Sequence, residues 1–555
     1  MPNWKSVDSS ANPKTNLMEA ALPLSTEFEP PGKERGCVQS TSRRTLGSSN
    51  APGSSDALRL GLRLQPRSDS VRAAAPSVSL PLRFMLTGLG SLFVAVGWII
   101  AKPSILASYH YNQYVIAATH LIVLGFICTV VMGAMYQLVP VALETKLYSE
   151  RLAKWQFVFH LVGFVGMVWM FNVWDMKQVG HFGSVMAVGV GLFVYNIVRT
   201  LLRVPKWNVI AKAITTALVW FSLTVLAGLS IAAAKCVYES TEGLATAEGV
   251  KQVVGGLRFF AGIVSRFDAI GAMHAHAHLG VVGFFVMLIV VVSYRLIPMF
   301  TLSEMQSKRR ASLSVILLNL GLVVAVVTIL LRSPWKFVFT GIAVIGLAIY
   351  GYELRAILLA RKRLVLDWGL KTFLVGVVML IPVSLLALTL SWPQLPMNQF
   401  FNQLENLYGF LGLLGVVTLA ILGMLHKILP FLVWFRVYSP HVGRAQLPTT
   451  AQMVSERLQV SGLCAYLVGL AITSVGILRE SELWVRGGGV VLLASLVMFA
   501  LNAAKVLAHF WRPQLEPLLV AVSKEPATGR ARHSVRAASD SSERGGQRTA
   551  RPTTL

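Results

Sequence analysis

The chain has 555 residues, of which 54% are hydrophobic and only 14% charged, with a mean hydropathy of +0.62. Soluble domains carry roughly 25% charged residues, so this balance excludes an ordinary water-soluble globule. The formal net charge of +25 points to no nucleic-acid partner, because Lys and Arg gather in tails and short loops between apolar blocks, where they set topology and meet anionic lipid.

Residues 1–80 are rich in Ser, Pro, Gly and Arg and contain neither an apolar run nor a signal peptide. They are expected to form a disordered, basic cytoplasmic tail. Apolar blocks follow at 83–101, 114–141, 155–174, 180–202, 210–233, 271–300, 311–331, 336–361, 371–391, 405–436, 459–478 and 485–511. A bilayer core of about 30 Å needs roughly 20 apolar residues per helix, and the blocks fit that length. A membrane β-barrel would show alternating segments of about ten residues instead, a pattern the chain lacks. The expectation is an all-α, polytopic membrane bundle of 12 helices over 81–515, closed by a second disordered basic tail over 520–555.

The loops alternate in charge. One set carries Lys146, Arg151 and Lys154, then Arg203, Lys206 and Lys212, then Lys308, Arg309 and Arg310, then Arg361, Lys362, Arg363 and Lys371, then Arg436 and Arg444. The other set is sparser, and its longest member, 234–268, offsets its bases with Glu239, Glu242, Glu248 and Asp268. The positive-inside rule places the first set and both tails in the cytoplasm. Cys37, Cys128, Cys236 and Cys464 form no CxxC or CxxCH, which argues against a zinc cage, a disulfide framework and covalent c-type haem.

Three segments align without gaps: HLIVLGFICTVVMGAMYQLVP from His120, HLGVVGFFVMLIVVVSYRLIP from His278, and FLGLLGVVTLAILGMLHKILP from Phe410. Each runs twenty steps to a proline (Pro140, Pro298, Pro430), with Gly five residues in and Tyr or His four before the proline. They fall on the second, sixth and tenth helices, so the bundle reads as three repeats of four helices.

With these residues in view, the chain resembles the haem-copper oxidase catalytic subunit I superfamily, which includes cytochrome c oxidases, cbb3-type oxidases and nitric oxide reductases. Twelve helices in three arcs of four is that family's plan. The run from His120 through GAMYQLVP is similar to its second-helix haem-ligand segment, and HAHLGVVGFF, from His276, to its His-x-His helix. The chain looks like the bacterial proteins described as cytochrome c oxidase subunit I-like or cbb3-like. The resemblance implies b-type haem, reduction of O2 or NO, electrons from a quinol or cytochrome, partner membrane subunits and a bacterial inner-membrane location. The family's His-x-His lies on its tenth helix, whereas here it lies on the sixth. The family's copper needs a His-His pair on the seventh helix, and 311–331 contains no histidine.

The topology puts His120, His274, His276 and His278 in the outer half of the membrane, joined by His110 and His181. Imidazole at that depth is costly enough to mark a function or a partner. His120 and His278 share a repeat position and a depth, so they are expected to be axial ligands of one haem. The alternative for His278 is a hydrogen bond to a carbonyl or side chain, and a third reading is a metal without haem. His276 faces away from its neighbours by about 200° and is a candidate ligand of a second haem or of copper. His274, with His181 or His110, is a candidate copper site. Two rivals to a redox enzyme stay open: a non-catalytic haem or metal protein of the NnrS type, for sensing or stress protection, and a metal transporter.

Overall fold

A computed structural model describes residues 78–143, 145–204, 207–237, 255–396, 398–443 and 445–517. Expectations for the two tails, for Lys206 and Arg444, and for Glu239, Glu242 and Glu248 of the long loop 234–268 lie outside the described residues.

Among the described residues, twelve helices are long and apolar enough to span a bilayer. They are α1 (Ser79–Ala101), α2 (Gln113–Val141), α3 (Glu150–Val173), α4 (Met176–Leu201), α5 (Val209–Val237), α6 (Ala269–Thr301), α7 (Lys308–Leu330), α8 (Lys336–Leu359), α9 (Trp368–Leu390), α10 (Gln399–Val437), α11 (Glu456–Leu478) and α12 (Glu482–Ala508). Several begin a few residues earlier than hydropathy suggests, because their first turns are polar and capped. Ser149 Oγ accepts from Leu152 N at 3.2 Å, so α3 starts before its apolar run. Short helices at Ser104–Ala107 and Gly255–Val264 have no counterpart in the apolar blocks. A two-residue antiparallel pair, Ala445–Gln446 with Glu516–Pro517, is the only strand pairing among the described residues.

The repeat is physical. In each four-helix unit, the first helix packs on the second, and the third and fourth form a tight hairpin: α3 with α4, α7 with α8, α11 with α12. α12 then packs on α1 and closes the ring. The second helices are the inner ones. In their membrane windows 67% of α2, 72% of α6 and 83% of α10 is buried, against 22–50% for the other nine spans. The exposed faces of those others carry Val, Leu, Ile and Trp, as lipid requires.

Two further features recur at matching places. Each inner helix contains a π-helical stretch, at Leu121–Cys128, Leu279–Val286 and Leu411–Val417, beginning one residue after His120, His278 and Phe410. A π stretch disturbs the regular ladder and leaves carbonyls to be satisfied by side chains. Thr129 Oγ1 donates to Leu124 O at 2.8 Å, and His160 Nε2 stands 3.1 Å from the same oxygen. In the third unit Thr418 Oγ1 donates to Leu413 O at 2.9 Å, and the Tyr466 hydroxyl to Leu414 O at 2.8 Å. Each hairpin is also clasped by one bond: the backbone N–H of Ser149, Ser307 and Ser455 donates to Asn196 Oδ1, Glu353 Oε1 and Asn502 Oδ1, at 3.0, 2.7 and 2.8 Å. The separations in sequence are 47, 46 and 47 residues, which extends the repeat from one helix to the whole unit.

Polar side chains near the helix ends also bond within the bundle. Lys427 pairs with Asp367 at the start of α9. Trp220 and Trp434 donate their indole N–H groups to Asn319 Oδ1 and Pro448 O.

Candidate functional site

The inner helices bring His120, His276 and His278 to facing positions, but with different partners from those expected. His120 of α2 lies against His276 of α6, their rings within 16° of parallel and their centroids 6.3 Å apart. His278 faces α10 instead, with Nε2 3.2 Å from the Tyr408 hydroxyl and the two ring centroids 5.9 Å apart. The shared site of His120 and His278 is therefore corrected: the two imidazoles point into separate compartments.

The repeat itself explains the change. His120 and His278 adopt the same local geometry, with Nδ1 2.8 Å from Ile116 O and 2.7 Å from His274 O, each the carbonyl one turn earlier. Identical rotamers in units related by rotation point to different neighbours. Each such side chain meets the residue two places before the equivalent position in the next unit, which is His276 for His120 and Tyr408 for His278. Equivalent positions in the repeat do not imply a shared partner.

The His120–His276 pair is built so that both outer nitrogens stay free. His276 Nδ1 lies 3.0 Å from Thr224 O on α5, as His120 Nδ1 lies beside Ile116 O. A carbonyl takes the Nδ1 proton, so each ring keeps its Nε2 lone pair for a metal or a donor. Gly228, one turn beyond Thr224, seats the ring: a Cβ there would stand 2.9 Å from His276 Cε1. Phe171 of α3 backs His120, with centroids 4.6 Å apart.

Both rings are only half-buried although they sit on the inner helices, and Ala277 and, on α10, Gly409 are exposed. A methyl group on Gly409 or Gly412 would meet no side chain or neighbouring backbone within 4 Å.

A second cluster lies further out. His110, in the connection before α2, places Nε2 3.1 Å from His274 Nε2 and 3.7 Å from Glu405 Oε2. One ligand atom from each of the three residues lies within 4.8 Å of the others. Burial lowers the His110 pKa to about 4, so its imidazole is neutral at neutral pH. The connection is fixed by Asn112, whose Oδ1 caps α2 through Tyr114 N and Val115 N and whose Nδ2 donates to Tyr109 O at 2.7 Å. Asn406 Nδ2 ties it to α10 through Ser108 O, also at 2.7 Å. His181 is not part of this cluster; it is exposed on α4, with Nδ1 3.3 Å from Gln178 Oε1.

Glu405, Tyr408, Thr224 and Gly228 escaped the sequence reading. Tyr408 stands two residues before Phe410, the same offset that separates His276 from His278, so the alignment carried the signal. Glu405 sat at the polar edge of an apolar block and read as a helix terminus.

Residues 72–176, from the approach to α1 through the start of α4, match the family model for cytochrome c and quinol oxidase polypeptide I. No curated protein matches the chain. Among solved structures, a haem-copper terminal oxidase dimer determined by cryo-electron microscopy is similar over 78% of this chain and 82% of that one, at 11% identity and a TM-score of 0.48. Over residues 72–176 the chain is therefore similar to that family, and its described residues supply twelve helices long and apolar enough to span a bilayer.

Proposed function

We propose that the chain is a haem-binding redox protein of the membrane, holding one haem iron between His120 and His276. The observation that carries this reading is the paired geometry of the two rings. An iron bonded to two imidazoles at about 2.0–2.1 Å separates their centroids by about 6 Å, and the observed 6.3 Å with near-parallel planes meets that requirement. Both Nδ1 atoms are engaged by carbonyls, which leaves both Nε2 atoms to face a metal. Without a CxxCH, the group would be b-type and held by its ligands and apolar walls.

Bound there, haem supplies a one-electron couple. The protein's part is to fix both rings through Ile116 O and Thr224 O and to seat His276 against Gly228. By resemblance, electrons would come from a quinol or cytochrome, and O2 or NO would be the substrate class. The lack of histidine on α7 favours a second reading, haem chemistry without the family's copper, as in a sensing or stress-protection protein. The same reading places the basic loops, and the tails 1–80 and 520–555, in the cytoplasm of a bacterial cell.

The test is a visible spectrum of purified protein and four variants. His120→Ala and His276→Ala should each abolish the sharp reduced low-spin bands, because one imidazole leaves iron five-coordinate and high-spin. His278→Ala and Phe410→Ala should keep them. Loss of the bands in His278→Ala with retention in His276→Ala would return the ligand to His278. Consumption of O2 or NO by the intact protein separates the two readings of its role.

A further inference from the structure

We propose that His110, His274 and Glu405 form a binding site for one divalent transition-metal ion of the zinc or copper(II) type, separate from the His120–His276 pair. Three elements converge on it: the connection before α2, the first turns of α6, and the first turns of α10. Two ligand atoms held at about 2.0–2.1 Å in a tetrahedral site lie about 3.3–3.4 Å from each other. The Nε2–Nε2 and Nε2–Oε2 separations of 3.1 and 3.7 Å bracket that edge length.

Donor chemistry selects the ion class. Two imidazole nitrogens and one carboxylate oxygen suit zinc and copper(II). Calcium and magnesium prefer six or more oxygens, and copper(I) prefers sulfur; neither donor set is present in the cluster. Three protein ligands leave a position for water or an exogenous ligand. The site is also preorganised. Asn112 and Asn406 hold the connection from both sides, and the His278 ring takes up the carbonyl of His274.

Around the cluster, Lys336 and the Asp268–Arg332 pair leave one positive charge before Glu405 is counted. Lys336 and Asp268 both act on His274, and Asp268 is already paired with Arg332. The Glu405 carboxylate is therefore the group that must compensate the cation. The plain alternative is a neutral His110–His274 hydrogen bond with Glu405 facing water, and it predicts no metal affinity above the surface background.

The experiment is a titration of chelator-treated, detergent-purified full-length protein with Zn2+ and Cu2+ against a chromophoric chelator, repeated with Co2+ to read the ligand field. The expected result is one tight equivalent per chain. His274→Ala and Glu405→Gln should each weaken it at least about tenfold, the lower range reported for disturbing a metal shell. His181→Ala should bind as the parent does. Glu405→Gln keeps side-chain shape, and an unchanged gel-filtration profile with an unchanged metal-free melt shows that its loss is not misfolding. His120→Ala, expected to lack low-spin haem, should still bind the ion, which separates this proposal from the haem reading. No stoichiometric binding, or affinity in Glu405→Gln and His274→Ala equal to the parent's, overturns the site.

Discussion

Glu353 offers the clearest energetic test of the repeat. Its carboxylate is fully buried and takes Ser307 N at 2.7 Å and Arg310 Nε at 2.7 Å, clasping the α7–α8 hairpin. The other two units use Asn196 and Asn502 for the same backbone N–H, so the second unit alone adds an ion pair to a shared hydrogen bond. Removing one partner from a buried pair costs about 3–5 kcal/mol. The Arg310 side chain is 37% exposed and regains water, so Glu353→Ala should sit near the lower bound, about 3 kcal/mol. Glu353→Asn should recover part of that, because the amide oxygen keeps the bond of roughly 1 kcal/mol to Ser307 N. The assay is thermal unfolding in detergent, read by intrinsic fluorescence and by loss of the monodisperse peak. A midpoint in Glu353→Ala equal to the parent's, or Glu353→Asn no better than Ala, would refute the argument that this clasp holds the hairpin.

Three further outcomes follow from the geometry. Gly423→Val should destabilise by about 1–3 kcal/mol or prevent folding, because a Cβ there stands 2.4 Å from Phe373 N and α9 cannot yield without leaving α10; a melt like the parent's would show the helices to be farther apart. Gly228→Val should displace the His276 ring and turn low-spin haem high-spin while the fold persists, which the visible spectrum reads directly. Burial holds the His110 pKa at about 4 against an ordinary 6.5, so the unfolded chain takes that proton first and stability should fall as pH drops from about 6.5 toward 4. His110→Asn should flatten that part of the pH profile of the melting midpoint.

Much of this fold is written in hydropathy, since a bilayer demands long apolar helices and the lipid-facing helices obey. The repeat was legible from Gly125, Gly283 and Gly415 and from the three prolines, and the helices that carry it are the three most buried. What hydropathy does not encode is rotation about the bundle axis. His120 and His278 match in sequence because they occupy equivalent places, and equivalent places in a rotational repeat point to different neighbours. The partner of His120 was therefore set by the arrangement of units, not by similarity. Polar caps were the other gap. The first turns of α3 and α10 carry too few apolar residues to register as membrane helix, and Glu405, at the very edge of its block, delivers a carboxylate to the His110–His274 cluster.

The most direct test of a haem iron between His120 and His276 is electron paramagnetic resonance of the oxidised, full-length protein at cryogenic temperature. Two axial imidazoles with planes within 16° of each other should give a rhombic low-spin ferric signal, and this signal should vanish in both His120→Ala and His276→Ala while surviving in His278→Ala. A purely high-spin axial signal in the parent protein, or a low-spin signal indifferent to His276 and lost with His278, would contradict the account.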